Sequence, residues 1–412
     1  MTGPETNQAT RVLTVRDIEG GITAPGGFRA SGVWCGIKRE ALDLALVVAD
    51  RPASAAAVFT TNRVQAAPVS VSRDHLARSA GRARAIVVNS GCANACTGDA
   101  GLDVARGMAA HTAATVGCTS EEVLVASTGV IGVPLNLSSV RAGIDRAFQA
   151  LGDGHAEAAR AIMTTDVAPK ERAVTVEVPG GLIRVGGMAK GAGMIEPMMA
   201  TMIAVVTTDA LVEPSVLQEA LRRAADGTFN AISVDGECST NDCVLALASG
   251  ASGVSIDAGS IDSLVQALTA VCRPLALDIV RGGEGATKLL TITVSGATSD
   301  ADARRCARAI ANSLLVKTAV HGGDPNWGRL LAVAGRAGVT IDPARARVVV
   351  GSAVLFSDGG PHNDREPAAA DHLAGSEVAV EVDLGTGRGS SATMWTCDLS
   401  AEYVRINADY RS

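Results

Sequence analysis

Residues 186–206 read GGMAKGAGMIEPMMATMIAVV, a glycine-rich polar stretch that passes into an apolar run. Gly186, Gly187, Gly191 and Gly193 free the backbone to approach a ligand and to present N–H groups. The run from Met202 to Val206 has the apolar, β-branched character of a strand start. Ala200 and Thr201 sit at the junction, and a threonine there has two readings. It is either an ordinary strand residue or, were the chain cut before it, a new N-terminus. Its α-amine, with a pKa of about 7.7–8.0, could then take the proton from its own hydroxyl, a self-contained nucleophile–base pair. The pattern alone does not select Thr201 from the other threonines.

Outward from this stretch, short β-rich runs alternate with amphipathic helices. Residues 85–88 (AIVV) predict a buried strand ending at a turn Asn89-Ser90-Gly91, and 289–294 another buried run. Residues 173–178 and 377–384 alternate with period two, as half-buried strands do. Ser215 to Gln218 has the form of a capping box with Pro214 just outside. Leu217, Ala220, Leu221 and Ala224 then line one helical face up to Gly227. Residues 302–320 carry Cys306, Ile310 and Leu314 at helical spacing and predict one long helix. Strands interleaved with helices favour a layered α/β or α+β architecture.

Composition agrees. The 412 residues are 47% hydrophobic and 19% charged, which excludes a disordered chain. Aromatics are only 2% against 45 glycines, so Ala, Gly and Val fill the core in close-packed layers. The net charge of −7 leaves no basic excess for nucleic acid. The N-terminus lacks a signal-peptide h-region, and the apolar runs look too short or interrupted for a membrane span. Nine cysteines without a secretory signal read as reduced thiols in a cytoplasmic protein. Cys92/Cys96 and Cys238/Cys243 lack the usual two-residue zinc spacing and a neighbouring His, so no metal is expected.

Four glycine-rich stretches break the periodic patterns: 127–132 (STGVIG), 186–202, 281–288 (RGGEGATK) and 321–329 (HGGDPNWGR). None follows the order of a phosphate-binding loop or a dinucleotide fingerprint. There is no G-x-S-x-G, and the six histidines have no evident triad partners; His321 alone stands in a site-like stretch.

The sequence resembles the ornithine acetyltransferase (glutamate N-acetyltransferase) family, whose self-cleavage motif K-G-x-G-M-I-x-P-x-M-A-T-M is matched from Lys190 to Met202. The similarity runs nearly end to end: residues 32–38 (GVWCGIK), Thr60-Thr61-Asn62, Asn89-Ser90-Gly91, 127–132, Thr164-Thr165-Asp166, 281–288, 321–329 and the ending YVRINADYRS. The resemblance implies self-cleavage between Ala200 and Thr201, giving an α fragment 1–200 and a β fragment 201–412. It implies Thr201 as nucleophile, the Thr128 hydroxyl and Gly129 N–H as oxyanion hole, and Thr165, Lys190, Thr201, Glu284, Asn407 and Ser412 as substrate contacts. Glu196 and Met198 fall in variable slots of the motif, and Glu196 adds an acid close to the nucleophile.

The implied reaction moves acetyl from N2-acetyl-L-ornithine to L-glutamate in two steps through an acetyl-threonine, in cyclic arginine biosynthesis. Acetyl-CoA is a second donor in bifunctional members, and specialised relatives serve antibiotic pathways. No cofactor, metal, nucleic acid or membrane partner is implied, and two α and two β fragments are expected to form a heterotetramer. The implied fold is a layered α/β (α+β) sandwich of the ornithine acetyltransferase/DmpA-like kind, with stacked sheets flanked by helices. It resembles N-terminal-nucleophile hydrolases with different connections, and divides into a main sandwich over 1–284 and a smaller C-terminal α/β region over 285–412. Two other functions stay open on residue chemistry alone. One is an aminopeptidase or amidase sharing the nucleophile, and the other a glycine-rich metabolite-binding protein that never cleaves.

Overall fold

A computed structural model describes residues 13–196 and 202–409. Its centre is a nine-stranded mixed sheet. The strand order is Val15–Asp17, Lys170–Val178, Gly181–Lys190, Ile203–Thr208, Cys243–Ala248, Leu44–Phe59, Arg82–Cys92 and Val123–Val130, with Phe28–Val33 also pairing Leu44–Phe59. Ile203–Thr208 is buried along its whole length because both faces of the sheet are covered. Ala204 and Val206 face the helices Pro214–Asp226 and Ile261–Arg281, while Ile203 and Val205 join Ala45, Val47, Ile86 and Leu124 on the other side. That is the period-two consequence of the pleat. Helices Ala67–Arg78, Gly98–Val116 and Leu137–Gln149 pack on the sheet around Leu44, Leu46, Val87 and Val125.

A second, seven-stranded sheet runs Ile232–Ser233, Ser390–Cys397, Leu289–Ala297, Glu377–Asp383, Arg347–Val350, Ala353–Ser357 and Gly360–Pro361. Its core, with Leu290, Ile292 and Val294 against Ala303, Ala307 and Ile310, is built almost wholly from the C-terminal third of the chain. The architecture is therefore layered α/β, with the helix Ile261–Arg281 in contact with both large sheets.

The expected strands at 173–178, 289–294 and 377–384 are present, and Glu377–Asp383 alternates exposed and buried residues as its sequence does. Four local expectations are corrected. The strand at 85–88 does not stop at Asn89: Arg82–Cys92 runs through, because Asn89, Ser90 and Gly91 pair in register with Ser127, Thr128 and Gly129. The predicted box at Ser215 is not the cap; Glu213 occupies the N-cap, Pro214 is inside at the first turn, and Gln218 bonds the backbone of Ala57 instead. The single helix over 302–320 is two, Asp300–Ala311 and Leu314–Gly322. Asn312 ends the first and the Ser313 hydroxyl caps the second, as side chains that compete for backbone hydrogen bonds do. Finally, Ile261–Arg281 is long and apolar enough to cross a membrane, contrary to the reading of the apolar runs. In the fold it is a core helix, with Leu264, Leu268, Val271, Leu275 and Ile279 packed on the large sheet.

Candidate active site

Three of the four glycine-rich stretches converge. Among the described residues, 127–132, 186–196 and 281–288 line one cavity of about 130 Å³ with Thr128, Gly129, Thr164, Thr165, Lys190, Asp235, Asn241, Glu284, Tyr403 and Asn407. The stretch 127–132, read as a break in the periodic patterns, is strand up to Val130, so Thr128 and Gly129 lie within Val123–Val130, opposite Ser90 and Gly91. Gly129 holds φ at +131°, and a Cβ there would stand 2.3 Å from the Gly91 carbonyl carbon. Only glycine fits this position, and its neighbour Thr128 is thereby fixed at the cavity wall.

Lys190 ends its strand fully buried. Its ammonium donates to Thr164 Oγ1 at 2.6 Å and Thr128 Oγ1 at 3.4 Å, and lies 3.9 Å from Asp166 Oδ2. Burial pulls its pKa down from the usual lysine value, against the attraction of Asp166. Burial works to raise the Asp166 carboxyl, yet Lys190, Lys170 and the Gly191 N–H together hold it down at about 2. Asp166 accepts from Lys170 Nζ at 2.5 Å, Gly191 N–H at 2.7 Å and Thr164 N–H at 3.1 Å. It thus ties the 164–166 loop to the start of the motif. Lys38 braces the same loop by donating to the Met163 carbonyl at 2.5 Å. Asp43 in turn orders the residues around Lys38 by accepting the N–H groups of Cys35, Gly36, Ile37 and Lys38.

The cavity wall also carries acidic side chains. Glu284 accepts from Asn407 Nδ2 at 2.9 Å, and its backbone N–H reaches the Ala192 carbonyl. Gly193 packs directly under this carboxylate, where a Cβ would come within 2.5 Å of Oε2. Asp235 accepts from Met194 N–H at 2.6 Å, Ile195 N–H at 2.8 Å and the Tyr403 hydroxyl at 3.2 Å. Burial raises its carboxyl above the ordinary range despite these donors. Met194 is held at φ +57°, a left-handed conformation rare outside glycine, six residues before the expected cleavage point. A cation and carboxylates in one cavity wall suit a small zwitterion bearing both a carboxylate and an ammonium group.

Thr165 lies in the cavity wall as expected, but it is its neighbour Thr164 that touches Lys190. Ala200, Thr201 and Ser412 lie outside the described residues. Glu196 does not line the cavity; its Oε1 accepts from Asn312 Nδ2 at 2.8 Å. The 321–329 stretch stands apart, with His321 Nδ1 2.6 Å from Asp398 Oδ2 and Asp398 also taking the Thr287 and Lys288 N–H groups. Sequence reasoning missed Asp166, Asp235, Asn241 and Tyr403 as builders of the site. The dense polar run SVDGECSTND, 233–242, was the available signal for Asp235 and Asn241, and the motifs 164–166 and 403–412 for Asp166 and Tyr403.

A partly open cavity that sets a Thr-Gly pair beside a buried lysine and carries acidic side chains has the donors and charges that acyl transfer or hydrolysis of a small zwitterion requires. The chain belongs to the ArgJ family, which it matches over residues 29–412. It is 47% identical to the arginine biosynthesis bifunctional protein ArgJ of Thermosynechococcus vestitus, over 96% of this chain and 99% of that protein. It is 49% identical to the protein of the same name from Gloeobacter violaceus, over 95% and 98%. Among solved structures it is similar to an ornithine acetyltransferase of Mycobacterium tuberculosis crystallised with ornithine, at 40% identity and a TM-score of 0.41, covering 46% of this chain and 100% of that one. An aminopeptidase of Ochrobactrum anthropi aligns at 12% identity and a TM-score of 0.40, over 64% of this chain and 86% of that one.

Proposed function

We propose that the protein is a self-cleaving glutamate N-acetyltransferase, moving acetyl from N2-acetyl-L-ornithine to L-glutamate in arginine biosynthesis. The observation that carries this reading is the meeting of Thr128, Gly129, Lys190, Glu284 and Asn407 around one cavity in a chain of the ArgJ family. In this reading the chain cuts itself between Ala200 and Thr201. The freed α-amine takes the proton from the Thr201 hydroxyl, which attacks the acetyl carbonyl of N-acetylornithine. The Thr128 hydroxyl and Gly129 N–H stabilise the oxyanion, ornithine departs, and glutamate takes the acetyl by the reverse chemistry. Lys190 receives the substrate carboxylate and Glu284, held by Asn407, the ammonium group. Thr165 and Ser412 add hydroxyl contacts.

The ArgJ relatives are named bifunctional, which supports acetyl-CoA as a second donor. Nine cysteines, none of them joined in a disulfide, fit a reducing cytoplasm. The division of the chain at 284/285 and assembly of α (1–200) and β (201–412) fragments as α2β2 belong to the same proposal.

The test is a covalent intermediate. Purified protein should resolve into two fragments by mass spectrometry, with the β fragment beginning Thr-Met-Ile-Ala. N-acetylornithine alone should add one acetyl mass to that fragment, and glutamate should remove it as N-acetylglutamate. Double-reciprocal plots should be parallel. Intersecting plots with no acetylated fragment would mean direct transfer, and acetate released at the same rate without glutamate would mean a hydrolase.

A further inference from the structure

A second cleft, of about 700 Å³, shares no lining residue with the cavity described above. Its walls come from the end of helix Pro214–Asp226, helix Ile261–Arg281, helix Asp300–Ala311 and strand Ser390–Cys397. Five arginines line it: Arg222, Arg223, Arg273, Arg304 and Arg308. In a chain of net charge −7 this is a concentrated positive patch.

The five differ in how their charge is met. Arg222 is held by Glu219 and Asp226, both at 2.8 Å, and Arg223 by Asp262 at 2.6 Å. Arg273 lies over the Trp395 ring, 5.9 Å from its centroid, and makes no ion pair among the described residues. Arg304 and Arg308 likewise pair with no carboxylate there, although Arg305 between them takes Asp302. Asp226 is the only carboxylate in the cleft wall, and it already accepts from Arg222 and Asn230. Burial raises the Glu196 carboxyl and the Arg308 charge opposes it, but Glu196 bonds Asn312 and forms no ion pair with Arg308. Arg308 Nε is buried and has no hydrogen-bond partner among the described residues, an arrangement rare in folded proteins unless something else binds there.

Arg304 and Arg308 stand one turn apart on one helix, with Cβ atoms about 5–6 Å apart. Two planar guanidinium forks at that spacing match two neighbouring phosphoryl groups better than one small anion. The strand packed beside this helix adds the hydroxyls of Ser391 and Thr393 and the Trp395 ring. The volume falls within the range of about 300–1,000 Å³ usual for small-molecule sites.

We propose that this cleft binds the diphosphate group of a small phosphorylated metabolite. Arg304 and Arg308 each take one phosphoryl group, and Arg273 adds a third positive charge. The site is separate from acetyl transfer and does not depend on that reading. Free inorganic diphosphate and a nucleoside diphosphate present the same group, so both serve as probes.

Isothermal titration of the purified full-length protein with inorganic pyrophosphate and with ADP, at about 0.15 M salt to screen diffuse attraction, tests the proposal. One site with a Kd below about 1 mM is expected. ADP binding at least about tenfold more tightly than pyrophosphate assigns a nucleoside diphosphate, and equal or weaker ADP binding assigns free diphosphate. Arg304→Gln and Arg308→Gln should each weaken binding about tenfold or more. Arg308→Lys should weaken it nearly as much, because an ammonium keeps the charge but not the fork. Arg141→Gln removes the same charge from an unpaired arginine on helix Leu137–Gln149, outside the cleft, and should leave Kd unchanged. Amide hydrogen exchange of the wild-type protein locates the probe without any variant, and protection should appear at 300–311 and 391–395. The assignment is overturned by no saturable binding of either probe up to about 10 mM, or by an Arg308→Lys chain that binds as wild type does. Equal losses in Arg141→Gln and Arg308→Gln, or protection confined to 127–132 and 186–196, overturn it as well.

Discussion

Asp166→Asn gives the most quantitative test of the site's construction. The carboxyl is buried between two ammonium groups, Lys170 Nζ at 2.5 Å and Lys190 Nζ at 3.9 Å, and is held at about 2 against an ordinary 3.8. Each pH unit between those values is worth about 1.4 kcal/mol, so ionisation of Asp166 contributes about 2 kcal/mol to the folded state at neutral pH. The asparagine variant leaves the two ammonium groups without this anion, and breaking a buried pair costs about 3–5 kcal/mol, an upper bracket on the same loss rather than an addition to it. Because the folded-state pKa is depressed, the contribution is fully present above about pH 4 and is lost as pH falls toward 2. Urea unfolding followed by circular dichroism at pH 7, 5, 4 and 3 reads the gap between wild type and variant. The gap should be about 2–5 kcal/mol at pH 7 and 5 and close progressively below pH 4. Other carboxylates titrate in the same window, but both proteins share them, so the difference isolates Asp166. A gap that stays constant down to pH 3, or that is under about 1 kcal/mol at pH 7, would refute the reasoning.

Thr128→Ala should fold normally and lose kcat by about 10²–10³-fold, since one oxyanion donor supplies about 2.7–4 kcal/mol of barrier lowering. Steady-state kinetics on the cleaved protein check this, and an unchanged kcat returns Thr128 to a wall residue. Glu284→Gln should raise KM for the amino-acid substrate by about 10-fold or more, the worth of a charged contact of about 1.5–3 kcal/mol, while keeping an oxygen for Asn407. Gly193→Ala should displace the Glu284 carboxylate it would meet at 2.5 Å, and so raise KM in the same direction with little change in melting temperature. Gly129→Ala meets backbone at 2.3 Å rather than a movable side chain, and its soluble yield should collapse.

Local pattern in this sequence was enough where one physical signal acts alone. Alternation along 377–383 placed a strand because a half-buried strand has a side-chain period of two, and the small, glycine-rich composition implied close-packed layers. Thr128, Gly129, Thr165, Lys190, Glu284 and Asn407 were reachable through the family motifs they stand in. Pattern failed at Asn89–Gly91, whose turn-like residues are carried through by pairing with 127–129, and at Asn312–Ser313, where the first helix ends at Asn312 and the Ser313 hydroxyl caps a second. It could not tell what holds Asp166, Asp235 or Asp242, whose Oδ1 accepts the Met202 N–H, although each stands in a motif or polar run visible in the sequence. An aspartate in a polar loop looks the same whether solvated or buried, and its role depends on what lies across from it: Lys170 and Lys190, the 194–195 backbone and Tyr403, or the Met202 N–H. Those partners lie up to 168 residues away in sequence, so the charge balance and proton affinity of each carboxylate were decided only when the sheets brought them together.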